Sequence, residues 1–340
     1  MTGLRAHARA MLGVRWRNSD GLVWSGSQPV RADADGRAVL AQPHWLELLR
    51  PPRPDFFFPA AVGAGPVRLT LREGGRVAAR AAVQRDVKRT SVRVATLRGP
   101  LHGRYFATRS TRRRAAVLVI GGSDGGEPDG IAALIASHGY PALALDYFGG
   151  RGLPRELSRI ALEYFGRALR WLGRRRGVDA RRLVVYGISR GGEGALLIGA
   201  AFPRLVHGVI ALVPSDLVNG AFGGVSSWTR YGRDVPPYTP IAVQRIDGPI
   251  LVASAGDDAR WSSSVFTQQI EQRLAEHRFR FAHQRLDFAH AGHDVGTAVP
   301  YLPQSIDRVY WGGTRTATAA ARVVLWRAIL RYLRSMSSTR

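Results

Sequence analysis

Ser189 stands between glycines two residues away on either side, in Gly187-Ile188-Ser189-Arg190-Gly191. The apolar run Leu183-Val184-Val185-Tyr186 precedes this pentad and Ala195-Leu196-Leu197-Ile198 follows it, the pattern of a strand turning sharply into a helix. A serine at such a turn is held in strained backbone geometry, and small residues on both sides let neighbouring elements come close. Its hydroxyl is a weak nucleophile until a base takes the proton, and an acid must hold that base in the right tautomer. Both partners occur downstream in the order serine, acid, histidine. Asp257 and Asp258 follow the apolar run Pro249-Ile250-Leu251-Val252-Ala253, and His290 and His293 lie in Phe288-Ala289-His290-Ala291-Gly292-His293-Asp294. Position alone leaves both acids and both histidines open.

Acyl transfer by a serine also needs N–H donors for the oxyanion that forms. The backbone N–H of Arg190, next to the nucleophile, is one candidate, and that of Ser123 is the other. Ser123 lies in Gly121-Gly122-Ser123-Asp124-Gly125-Gly126, directly after the apolar run Ala115–Ile120. The same Gly-rich turn is a poor phosphate loop, because it has neither Gly-Lys-Ser/Thr nor a Gly-x-Gly-x-x-Gly register. A metal centre at His283, His290, His293 and Asp294 is disfavoured too, since these residues lack helical ligand spacing. The chemistry expected of these residues requires no cofactor.

The elements that must position these groups change character near residue 100. Before it come alternating segments such as Val67–Arg72, Arg76–Val83 and Thr90–Val94, broken by turns at Asp33-Ala34-Asp35-Gly36, Pro51-Pro52 and Gly74-Gly75. Period-two alternation with such turns predicts antiparallel strands, so residues 1–98 read as a small β-sandwich-like domain with Trp16, Trp24 and Trp45 as packing residues. Residues 99–340 read as an α/β domain with a mostly parallel sheet. Its expected strands are Ala115–Ile120, Pro141–Asp146, the run before Ser189, Val209–Val213 and Pro249–Ser254. Its expected helices are Ile131–His138, Ser158–Leu172, the segment after Ser189 and Thr316–Leu333. Leu162, Phe165, Leu169 and Leu172 give the second of these one apolar face.

Composition narrows the classes further. The 340-residue chain is 45% apolar and has no cysteine, which supports a large core and excludes disulfides and a thiol nucleophile. No apolar run is long enough to span a bilayer. The early apolar stretch Ala10–Val14 is too short for a secretory signal, so a cytoplasmic location is expected. Lys plus Arg total 49 against 25 Asp plus Glu, a net charge of +24, and Lys88 is the only lysine. Such a surface attracts polyanions, nucleic acid or the phosphates of coenzyme A among them. Arg112-Arg113-Arg114, Arg174-Arg175-Arg176 and Arg181-Arg182 nevertheless fall at element boundaries without interleaved aromatics, which favours solvated arginines over a nucleic-acid partner.

Several of these segments together resemble the acyl-CoA thioesterase and bile acid-CoA:amino acid N-acyltransferase family of the α/β-hydrolase superfamily. The matching pieces are Leu162-Glu163-Tyr164-Phe165, Gly187-Ile188-Ser189-Arg190-Gly191, Gly248-Pro249-Ile250-Leu251, Asp257-Asp258-Ala259-Arg260-Trp261, Ala291-Gly292-His293, Pro300-Tyr301-Leu302-Pro303 and Trp311-Gly312-Gly313. The first 98 residues resemble the family's N-terminal domain more loosely, through Trp24-Ser25, Ala32–Gly36 and Arg85-Asp86-Val87-Lys88, and look shortened. The resemblance implies an α/β-hydrolase fold and a triad of Ser189, Asp258 and His293. It also implies thioester hydrolysis, because serine at the elbow goes with hydrolysis in the family and cysteine with transfer to glycine or taurine. The substrate expected is a small acyl thioester or ester, in the first instance linked to coenzyme A. Transfer to an amine or alcohol and dienelactone-hydrolase-like ester or lactone cleavage are the enzymatic alternatives, and an arginine-rich polyanion-binding protein is the non-enzymatic one.

Overall fold

Along Arg9–Arg17 every second residue is apolar. In the structure, a computed structural model, this segment is strand β1, with Ala10, Leu12, Val14 and Trp16 buried on one face. The structure describes residues 4–17, 21–38, 47–50, 64–123, 125, 128–221, 224–300 and 308–338. Trp45, Pro51-Pro52, Asp124, Gly126 and Tyr301-Leu302-Pro303 lie outside the described residues.

Strands β1, β2 (Val23–Arg31), β3 (Gly65–Glu73) and β4 (Arg76–Arg85) form an antiparallel sheet in the order β2-β1-β3-β4. Trp16 and Trp24 face each other across the β1/β2 register, with ring centroids 6.2 Å apart, and pack with Leu12, Val14, Leu49, Val67 and Leu71. Both tryptophans are packing residues, as expected of a small β domain.

The chain continues as β5 (Arg93–Thr96), β6 (His102–Ala107), β7 (Arg114–Ile120), α1 (Asp129–Ser137), β8 (Ala142–Asp146), β9 (Ile160–Ala161) and α2 (Leu162–Gly173). Then come β10 (Val178–Ile188), α3 (Arg190–Ala201), β11 (Gly208–Leu212), β12 (Trp228–Arg230), β13 (Arg233–Asp234) and β14 (Ile250–Ala255). Helix α4 (Ser263–Glu276), β15 (His283–Phe288), α5 (Arg308–Trp311) and α6 (Arg315–Ser338) complete it. Eight of these strands form one sheet, in the order β15-β14-β11-β10-β7-β8-β6-β5. Pairing is parallel from β15 to β8 and antiparallel at β6 and β5. Strand β5 thus joins the large sheet, although its sequence lies within the stretch expected to form the N-terminal domain. Alternation identifies a strand, but it carries no information about which sheet receives it.

Strand β7 shows why the expected apolar runs were unbroken. Ala116, Leu118 and Ile120 pack on one face with α2, α3 and α4, while Ala115, Val117 and Val119 pack on the other with α1 and α6. A strand covered on both sides has no polar face to alternate with. Strands β9, β12 and β13 form a separate small sheet beside α2. No helix among the described residues is long and apolar enough to cross a membrane.

Candidate active site

Strand β10 ends at Ile188 and α3 begins at Arg190, leaving Ser189 alone in the turn with φ 56° and ψ −122°. Few L-residues adopt this backbone, and strain of this kind persists only where its surroundings enforce it. The glycines enforce it here by close approach. A Cβ on Gly187 would lie 1.9 Å from the Gly191 carbonyl oxygen, and one on Gly191 would lie 2.1 Å from that of Gly121. The Ser189 N–H is bonded to Leu212 O at 2.8 Å, which ties the turn to β11.

The acid and the histidine reach this turn from neighbouring strands. Asp258 follows β14, and its carboxylate accepts from the Arg260 N–H at 2.9 Å, the Trp261 N–H at 3.3 Å and the Ser263 hydroxyl at 2.6 Å. His293 opens the short helical turn His293–Thr297 after β15. Its Nδ1 lies 2.8 Å and 3.0 Å from the two Asp258 carboxylate oxygens, and its Nε2 lies 2.9 Å from Ser189 Oγ. A carboxylate only accepts, so Nδ1 carries the proton and Nε2 is left to accept from the serine hydroxyl. The Asp258 and His293 side chains are 1% and 6% exposed. Around the imidazole, Trp311 stacks at 6.1 Å and Trp261 meets it edge-on at 5.8 Å.

Asp257 and His290 come from the same two loops yet point outward. Their closest approach is 3.6 Å, with side chains 49% and 78% exposed. The structure therefore brings Ser189, Asp258 and His293 together and leaves Asp257 and His290 facing solvent. The motifs Ala291-Gly292-His293 and Trp311-Gly312-Gly313 meet across this region. A Cβ on Gly292 would lie 2.3 Å from Gly312 O, and one on Gly312 would lie 1.8 Å from Asp257 O. Behind His293, the fully buried Arg322 donates to Asp294 O at 3.1 Å and 2.6 Å and pairs with the Asp294 carboxylate at 2.7 Å. Burial pushes the Arg322 guanidinium below its ordinary pKa, and the Asp294 carboxylate opposes that shift.

Ser189 opens into a cavity of about 610 Å³ that Ser123, Arg190, Phe148, Leu157 and Trp261 help to line. Ser123 is exposed there, and its neighbour Gly122 abuts the serine: a Cβ on Gly122 would lie 3.4 Å from Ser189 Cβ. The N–H of Arg190 belongs to the first turn of α3, where helical donors have no partner within the helix. Among the described residues no cluster of three or more His, Asp or Glu could hold a metal ion.

One functional group escaped the sequence reading. Glu193 is fully buried in α3, and its carboxylate accepts from Arg190 Nη1 at 2.7 Å, the Trp228 indole at 2.7 Å, and Asn219 N and Nδ2 at 3.0 Å and 2.8 Å. Arg190 also donates to Asn219 O at 3.1 Å, to Gly220 O at 3.4 Å and to the Ser227 hydroxyl. This network ties the first turn of α3 to Asn219, Gly220 and Ser227, which line the cavity. Burial pushes the Glu193 carboxyl above its usual range, and the Arg190 guanidinium pulls it back. The available signal was a glutamate three residues after an arginine within a Gly- and Ala-rich helix, a spacing that places both on one face.

A mostly parallel sheet with helices on both faces, and a serine elbow at the C-terminal end of a central strand, define an α/β hydrolase. The puromycin-hydrolyzing peptidase of Mycobacterium tuberculosis shares this fold. It aligns over 96% of this chain and 54% of its own length, with a TM-score of 0.54 and 16% identity. Residues 218–338 match the family model described as BAAT / Acyl-CoA thioester hydrolase C terminal. The mouse peroxisomal succinyl-coenzyme A thioesterase is 27% identical over 302 residues, which cover 76% of this chain and 69% of that protein. Mouse acyl-coenzyme A thioesterase 6 is 29% identical over 290 residues, covering 76% and 68%. The family resemblance read from the sequence is borne out: this chain is an α/β-hydrolase enzyme similar to the acyl-CoA thioesterases.

Proposed function

We propose that the protein hydrolyses acyl thioesters of coenzyme A through an acyl-Ser189 intermediate. The observation that carries this reading is the continuous chain from Ser189 Oγ to His293 Nε2 at 2.9 Å and from His293 Nδ1 to the buried Asp258 at 2.8 Å. His293 accepts the serine proton as Oγ attacks the thioester carbonyl. The tetrahedral oxyanion draws on the backbone N–H groups of Arg190 and Ser123, a class of donor worth about 2.7–4 kcal/mol of barrier. The C–S bond then breaks, and His293 returns the proton to the departing thiolate. Water attacks the acyl-serine with His293 again as base, which releases the acid and restores the Ser189 hydroxyl.

Coenzyme A as leaving group rests on the names of the relatives and on the cavity, whose lining includes Arg155 and Arg260. Arg260 stacks its guanidinium over the Tyr310 ring at 4.0 Å, which fixes a positive charge in the lining of the cavity. Hydrolysis is favoured over transfer because an oxyester at Ser189 is far less open to amine attack than a thioester. A cytoplasmic location belongs to the same reading, and fractionation of a tagged chain checks it.

Free-thiol release over a panel of acyl-CoA chain lengths, with and without glycine or taurine, tests the reading against the Ser189→Ala variant. Thiol release that falls on the order of 10⁶-fold in the variant is the expected result. Turnover of simple esters with none of thioesters overturns it, and amide formation moves the enzyme to the acyltransferases.

A further inference from the structure

Two arginine clusters that looked separate in sequence, Arg112–Arg114 and Arg174–Arg176, are joined in the fold. Arg114 N–H bonds to Gly177 O at 3.0 Å, and Gly177 packs so tightly that a Cβ there would lie 2.8 Å from Ser110 O. The Arg112–Arg114 and Arg174–Arg176 segments therefore share one end of the large sheet. That end holds Val178, where β10 starts, and lies opposite the end that carries Ser189.

Beside this junction is a cavity of about 420 Å³ between β5, the end of β6 and the end of α2. Arg93, Arg109, Arg175 and Arg176 line it, together with Tyr105 and Trp171, and among the described residues no carboxylate does. Tyr105 and Trp171 meet edge to face at 5.5 Å, and the Arg175 guanidinium lies over the Trp171 ring at 4.4 Å. The Tyr105 hydroxyl is buried without a hydrogen-bond partner among the described residues. Burial pushes the phenol up to about 12, against the pull of Arg175. Other arginines of this chain meet carboxylates at 2.7 Å or closer, as Arg104 does with Asp129 and Arg280 with Asp247. The volume suits a small ligand, guanidinium forks fit phosphate oxygens, and aromatic faces stack on bases without regard to sequence.

We propose that this cavity binds nucleotide units, with phosphates on the arginines and a base against the Tyr105/Trp171 floor, at a site separate from Ser189. The ligand is a free nucleotide or one unit of a single strand, and the two sources are distinguishable. The test titrates the full chain with ADP, with inorganic phosphate and with a labelled single-stranded oligothymidylate, following fluorescence anisotropy or calorimetry at several salt concentrations. An Arg109→Glu/Arg176→Glu variant is compared with an Arg76→Glu/Arg80→Glu variant, which removes equal charge from exposed positions on β4.

The first variant is expected to weaken binding by about tenfold or more and to flatten the salt dependence, while the second retains most of the affinity. Trp171→Leu is expected to weaken ADP or the oligonucleotide but leave phosphate unchanged, with thermal melting as the check on folding. ADP binding without oligonucleotide binding assigns the site to free nucleotides, and preference for the oligonucleotide assigns it to single strands. Equal losses in the two charge-reversed variants, phosphate binding as tightly as ADP, or equal competition by polyglutamate each overturn the proposal in favour of non-specific attraction to a chain of net charge +24.

Discussion

Two aspartate–histidine pairs arise from the same two loops, one residue apart on the acid side and three apart on the histidine side, and only one is built into the protein. Asp258 and His293 meet at 2.8 Å with both side chains almost wholly buried, whereas Asp257 and His290 approach only to 3.6 Å with both exposed. The difference lies in what surrounds them. Three donors orient the Asp258 carboxylate, from Arg260, Trp261 and Ser263, and two indoles flank the His293 ring. In water a hydrogen-bonded ion pair gains little, because solvent competes for both partners. Inside the protein the same pair fixes a tautomer and an orientation.

Substitutions at the two pairs sharpen this contrast. Asp258→Asn, which puts an N–H donor where His293 needs an acceptor, is expected to lower kcat by about 10⁴-fold in steady-state thioester hydrolysis. Asp257→Asn is expected to stay close to wild type, and equal losses in the two would break the comparison. Glu193→Gln asks whether burial makes the same difference for an arginine–carboxylate pair. It leaves the Arg190 guanidinium buried without its counter-charge, and urea denaturation is expected to show a loss of about 3–5 kcal/mol.

Ser263→Ala removes one charge-assisted bond from Asp258 and leaves the acid in place. A bond of this kind is worth about 1.5–3 kcal/mol, so a fall in kcat of roughly 10- to 100-fold is expected. A rate equal to wild type would show that the two backbone donors hold the carboxylate unaided. The smallest effect belongs to the exposed pair. His290→Gln is expected to change stability by less than about 1 kcal/mol and to leave the pH profile of kcat/KM in place. Displacement of that profile by the His290 substitution would mean that the outer pair is coupled to the chemistry after all.

Much of the hydrolase fold could be read along the chain because its central strands and amphipathic helices advertise themselves locally. The unbroken apolar run at Ala115–Ile120 and the helical spacing of Leu162, Phe165, Leu169 and Leu172 correspond to β7 and to the buried face of α2. The elbow was legible because two glycines and a serine are a local steric requirement. Less legible were the features that depend on distant segments meeting. Strand β5 alternates like its N-terminal neighbours, yet it pairs with β6 in the large sheet. The stacking of Trp311 on His293 likewise joins two segments that the linear order leaves apart.

By itself the sequence determined that a serine would sit at a strand-to-helix turn, with acids and histidines following in the order an α/β hydrolase needs, and that no thiol could replace the serine. These follow from covalent order, residue chemistry and local sterics. Residue chemistry and order left open which aspartate and which histidine face that serine, a choice only the family resemblance suggested; the tertiary structure decides it through desolvation, the donors of the Asp258 loop and the two indoles beside His293. It also gathered Arg93, Arg109, Arg175 and Arg176 around Tyr105 and Trp171, a placement set by sheet order, which a linear pattern does not encode.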